Sequence, residues 1–92
     1  MALSAPAPNP FGSRTLLRFT LPRESEVTLD VLDVSGRRVK SLVLGEPRSA
    51  GTHLVEWDGR GDRGEREPPG MYFVRLVAGP ERRVQRVVRI AP

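Results

Sequence analysis

From Thr15 onward the chain repeats apolar and polar positions with a period of two. Thr15, Leu17, Phe19 and Leu21 alternate with Leu16, Arg18 and Thr20, which predicts a strand with one strongly apolar face. Pro22 ends it. Val27, Leu29 and Val31 alternate with Thr28 and Asp30 in a second strand, and Asp33-Val34-Ser35-Gly36 follows as a turn. Val39 to Leu44 reads as a short third strand, and Gly45 to Gly51 as a loop. His53, Val55 and Trp57 share one face of a fourth strand. Tyr72, Val74 and Leu76 alternate with Phe73, Arg75 and Val77 in a fifth. After the turn Ala78-Gly79-Pro80-Glu81, Val84, Val88 and Ile90 form the face of a last strand, with Arg83, Gln85 and Arg89 opposite.

Six or seven short strands at even spacing, separated by Gly/Pro turns, predict an all-β sandwich or small barrel. No stretch holds a helical period of 3.6 over three turns. The inward positions predict a core built on Phe19, Leu29, Val31, Trp57, Tyr72 and Leu76. The single Trp57 is its natural centre, because an indole is large enough to touch both sheets. Met1 to Gly12, with three prolines among Ala, Ser and Asn, reads as a Pro-rich linker that Phe11 anchors, leaving residues 13–92 as the sandwich.

With 92 residues the chain is one domain with room for one core. The absence of cysteine excludes disulfides and thiolate metal sites. No apolar run is long enough to span a membrane. Met1 to Phe11 lacks the basic and apolar regions of a signal peptide, so export would need a signal elsewhere in a longer parent chain. The net charge of +4 rests on arginine, with Lys40 the one lysine. A basic chain invites a nucleic-acid reading, but these arginines are interleaved with acids and no motif or aromatic stacking surface accompanies them. The expectation is therefore no nucleic-acid partner.

Asp58 to Gly70 is a densely charged stretch without a large apolar side chain, and it admits four readings. Catalysis would need a base, a nucleophile and an oxyanion site together. The one histidine, His53, lies in phase with Val55 and Trp57, and no serine has a nucleophile-elbow context, so no catalytic residue and no cofactor is assigned. A calcium loop could draw on Asp58, Asp62 and Glu65, but three ligands fall short of calcium's needs and Arg60, Arg63 and Arg66 are interleaved with them, so no metal is assigned either. Arg60-Gly61-Asp62 has the form of an adhesion tripeptide, a short motif that occurs often by chance. The favoured reading is structural: a soluble crossing between two sheets, bent by Gly61 and Gly64 and closed by Pro68-Pro69-Gly70.

Taken in order, these pieces resemble a known family. They are Asn9-Pro10-Phe11, then Val27-x-Leu29-x-Val31-x-Asp33-x-x-Gly36-Arg37-x-Val39, then Ala50-Gly51-x-His53-x-Val55-x-Trp57-Asp58-Gly59, then Gly70-Met71-Tyr72-Phe73-Val74-Arg75-Leu76. The run from Asn9 to Ile90 resembles the immunoglobulin-like domain of the flagellar hook-capping protein family, and equally the related C-terminal sorting domains of the type IX secretion system. The resemblance implies an immunoglobulin-like β-sandwich of about seven short antiparallel strands. It implies a non-catalytic C-terminal module of a secreted bacterial protein, reaching the outside or the cell surface through the periplasm. The leading expectation is sorting or surface attachment of a cargo; the alternative is a structural assembly module of the hook-cap type. Partners would be a secretion apparatus or neighbouring subunits, for a domain that is itself monomeric. Arg82, Arg83, Arg86 and Arg89 are the candidate partner-binding residues, able to pair with an acidic protein or an anionic surface polysaccharide. Strand addition at an open edge is one mode of engagement.

Overall fold

The computed structural model describes residues 1–90 and contains seven strands, with no helix among them. These are β1 (Ala2–Leu3), β2 (Thr15–Leu21), β3 (Ser25–Leu32), β4 (Arg38–Arg48), β5 (Gly51–Trp57), β6 (Gly70–Ala78) and β7 (Glu81–Arg89). They form two antiparallel sheets, a three-stranded one in the order β1-β2-β5 and a four-stranded one in the order β4-β3-β6-β7. The two pack as an immunoglobulin-like sandwich.

Alternation explains the packing. In β2, Leu17, Phe19 and Leu21 turn inward and are at most 2% exposed, while Leu16, Arg18 and Thr20 face solvent. Val27, Leu29 and Val31 of β3 and Tyr72, Val74 and Leu76 of β6 meet them from the other sheet. Trp57, at the end of β5, is fully buried. Its ring lies 5.3 Å from Phe11 and 5.3 Å from Tyr72, edge-on to the latter, so it joins the N-terminal segment, one sheet and the other. The indole N–H donates to the carbonyl of Arg60 at 2.9 Å, which satisfies the one polar atom that burial would strand.

Three stretches differ from the sequence reading. The N-terminal segment is not a free linker but lies along the edges of both sheets. Leu3 pairs with Phe19 in β2, Ala7 with Leu16, and Phe11 with Arg89 of β7. Leu3 and Phe11 are buried. Prolines suggested a linker because they cannot donate to a ladder. Here the non-proline residues between them supply the donors: Ser4, Ala7 and Phe11 each give a backbone N–H to a strand carbonyl. An edge tolerates prolines that a central strand would not.

The expected loop Gly45 to Gly51 is mostly strand. β4 runs on to Arg48, and register shifts against β3 carry it past Gly45, which adopts a positive φ of 59°. The Gly45 N–H donates to the Thr28 hydroxyl at 3.1 Å.

The third difference is the phase of β7. Its core-facing residues are Gln85, Val87 and Arg89; Val87 is fully buried and Arg89 is 3% exposed. Val84 and Ile90 face outward and are about half exposed. Gln85 is drawn inward by a bond from its amide to the Leu3 carbonyl at 2.9 Å.

Candidate functional site

The motifs that carry the resemblance turn out to be joints. In the turn between β3 and β4, Asp33 Oδ1 accepts from the Ser35 hydroxyl at 2.6 Å, the Ser35 amide at 2.9 Å and the Arg37 amide at 3.0 Å. Its Oδ2 accepts from Nε of Arg37 at 3.2 Å. The Ser35 hydroxyl bond first, then the bonds from Arg37 and the Ser35 amide, outweigh partial desolvation and hold the carboxyl at about 2. Gly36 supplies the positive φ of 88° that closes this turn.

The loop after Trp57 crosses from the three-stranded to the four-stranded sheet. Its candidate ligands and adhesion residues are bound within the fold. Asp58 Oδ1 accepts from the Arg60 amide at 3.1 Å. The Arg60 guanidinium donates to the Gly64 carbonyl at 2.7 Å. Asp62 lies against the edge of β4: its N–H donates to the Val39 carbonyl at 2.9 Å and its Oδ1 accepts from the Ser41 amide at 3.0 Å. Gly61 between them is buried, so Arg60-Gly61-Asp62 is not a projecting tip. The carboxylates of Glu65 and Glu67 lie over Gly61. Among the described residues no three potential ligand side chains cluster as a metal site. His53 stacks on Phe19 at 5.2 Å and bonds through Nε2 to the Ser49 carbonyl at 2.8 Å.

Burial raises the Tyr72 phenol above its usual range; the nearby Glu67 carboxylate adds to this, and Arg89 partly offsets it. The hydroxyl donates to the Pro68 carbonyl, which fixes the loop's last turn onto β6.

The four arginines assigned to partner binding do not form one patch. Strand alternation puts Arg82 and Arg86 on the outer face of the four-stranded sheet and sends Arg83 and Arg89 the other way. Arg83 is exposed but engaged, donating to the Arg82 carbonyl and to the Glu81 carboxylate at 3.4 Å. Arg89 must be removed from the set: at 3% exposure its side chain lies against Gly59, where no partner can reach it. Arg82 and Arg86 form no ion pair among the described residues.

The outer face that carries them is the most distinctive surface of the domain. Cross-strand registers line up Leu32, Phe73 and Arg86 in one row, Asp30, Arg75 and Val84 in the next, and Thr28, Val77 and Arg82 in a third, with Met71 opposite Val88. Met71 and Val84 are 39% and 52% exposed. The Asp30 carboxylate is buried in the middle and paired with Arg75 at 3.3 Å. Sequence reading missed this face because it counted Val84, Val88 and Ile90 toward the core. The signal that could have found it is Val87: shifting the phase of β7 by one leaves a second apolar row without a place inside.

The edge of β7 is also occupied. The Asn9 amide donates to the Arg86 carbonyl at 3.1 Å, and its oxygen accepts from the Val88 amide at 2.9 Å, like a residue of a neighbouring strand. Phe11 continues the pattern, donating to the Val88 carbonyl and accepting from the Ile90 amide. Strand addition is therefore blocked along this part of β7.

Residues 10–81 match the family model described as the FlgD Ig-like domain. Over 53 residues, 58% of the chain, it is 40% identical to the basal-body rod modification protein FlgD of Salmonella typhimurium, and to the same extent to that of Salmonella typhi. The match spans 22% of the length of each relative. Among solved structures, a DNA-bound alkylpurine DNA glycosylase AlkC from Pseudomonas fluorescens aligns over 95% of this chain and 29% of its own, at 19% identity and a TM-score of 0.49. That likeness is too loose to bear on function.

Proposed function

The chain belongs to the FlgD Ig-like domain family, and from that premise we propose that it is a non-catalytic assembly module of a flagellar hook-cap type protein, packing against neighbouring subunits outside the cytoplasm. The observation that carries this reading is the family match over residues 10–81, which takes in the Asp33 turn, the Trp57 loop and the whole of β6. Both relatives are named basal-body rod modification protein FlgD, so the assembly role moves ahead of the sorting role that the resemblance also implies. The architecture suits such a task. A rigid sandwich whose polar motifs are spent on its own turns offers a partner surfaces and not reactive groups.

The test is a chimera in which residues 1–92, with all seven strands, replace the matching segment of the Salmonella typhimurium relative, in a strain lacking that protein. The expected result is assembled hooks and restored swimming. A chimera that accumulates in folded form while hooks fail to assemble would overturn the reading.

A further inference from the structure

The strongest unassigned feature is the outer face of the four-stranded sheet, and it deepens the assembly reading, resting on it only for the premise that the partner is a protein. From its composition we infer that this face binds an acidic amphipathic helix of a different protein. Met71, Phe73, Val84 and Val88 form its apolar ground, and Arg82 and Arg86 rise from it without acid partners among the described residues. An apolar sheet face rimmed by arginine is the composition of an interface, since ordinary solvated faces carry polar residues at these positions.

Two observations choose the occupant. The first is charge. The acid at the centre of this face, Asp30, is already paired with Arg75, so the unpaired charge on it is positive. A second copy docked face to face would set Arg82 and Arg86 against their own kind, which disfavours self-association. A partner with carboxylates flanking an apolar stripe would satisfy both arginines and cover the valines and Phe73. The second observation is the state of the sheet edges. Asn9 and Phe11 hold β7 from Arg86 to Ile90, and Asp62 holds β4 at Val39 and Ser41. A partner segment cannot join the ladder at those places, so one that covers the apolar residues beside them lies on the face. A segment lying on a face has to satisfy its own backbone groups, which a helix does.

The test uses the isotope-labelled domain and two helical peptides of about 18 residues, long enough to hold a helix. Both carry one leucine stripe; the first flanks it with glutamates, the second with lysines. Amide NMR shifts report where each binds. The expected result is that the glutamate peptide binds with sub-millimolar affinity and moves the resonances of Met71, Phe73, Val84 and Val88. Binding should weaken as salt rises. It should fall about tenfold or more in the Arg82→Glu/Arg86→Glu variant, whose unchanged melting temperature shows that the fold is kept. Equal binding of the two peptides, shifts located elsewhere, or no binding of the glutamate peptide at about 1 mM would overturn the inference. Concentration-dependent shifts of the same residues without peptide would overturn it in favour of a second copy. Failure here leaves the hook-cap reading standing, because the chimera reports assembly through whichever surface is used.

Discussion

Gly59 and Arg89 fit each other so closely that a Cβ at position 59 would lie 2.7 Å from Nε of Arg89 and 3.2 Å from its Cδ. Gly59 also has a φ of 77°, in the left-handed region. The glycine of the Trp57-Asp58-Gly59 motif is thus demanded twice, once by the turn and once by a buried arginine from β7. Gly59→Ala should cost about 1–2 kcal/mol for the backbone and about 1–3 kcal/mol more for the displaced side chain. Gly64, with a φ of 88° and open space around it, is the control and should show only the backbone part. Urea unfolding of both variants separates the two contributions. Equal losses would mean that Arg89 yields without cost.

Asp33 makes stability depend on acid. Its folded carboxyl is held at about 2, below the ordinary 3.8, so the ionised form is favoured in the folded state. Its contribution is present above about pH 4 and is lost as the pH falls through about 2. Asp33→Asn should lower the melting temperature at neutral pH and flatten the acid limb of the stability curve between those values. A variant with the same acid limb as the parent would show that other carboxylates set it.

Asn9 acts as a one-residue strand. Asn9→Ala removes the amide that pairs with Arg86 and Val88, both in an exposed setting. The expected loss is about 1 kcal/mol. The sharper readout is hydrogen exchange, where the Val88 amide should lose protection while that of Tyr72 in the neighbouring strand keeps it.

Asp62 holds the crossing loop to β4 by its side chain as well as its backbone. Asp62→Ala should cost about 1 kcal/mol and speed exchange of the Ser41 amide, with little effect on the core. If instead Asp62 served a ligand at a projecting tip, the substitution would leave Ser41 exchange unchanged.

Much of this fold is legible in the sequence, because period-two alternation survives wherever one sheet face meets the core and the other meets water. β2 is the clearest case: Leu17, Phe19 and Leu21 inside, Arg18 and Thr20 outside. β7 breaks that rule. Its outer face carries Val84 and Val88, while its inner face carries Gln85 and Arg89, so counting apolar residues selects the wrong phase. The reason is physical: alternation reports hydrophobicity, not direction, and this strand has apolar residues on both faces. The N-terminal segment misled for another reason. Proline content reads as linker, yet pairing needs only the donors between the prolines, and Ala7 and Phe11 provide them. The roles of Asn9 and Asp62 were invisible because both act across long sequence separations, on edges that the strand pattern alone does not locate.

On the proposed reading, the domain works in assembly through the outer face of its four-stranded sheet. The most direct measurement places a photo-crosslinking residue at position 84 on that face, or at position 54 on the outer face of the other sheet, in the flagellar chimera during hook assembly. Leu54 is 65% exposed, so the two probes are comparably accessible to solvent. The account predicts crosslinks to another flagellar protein from position 84 and few from position 54. Crosslinks from position 54 alone, or none from position 84 while hooks assemble normally, would contradict it.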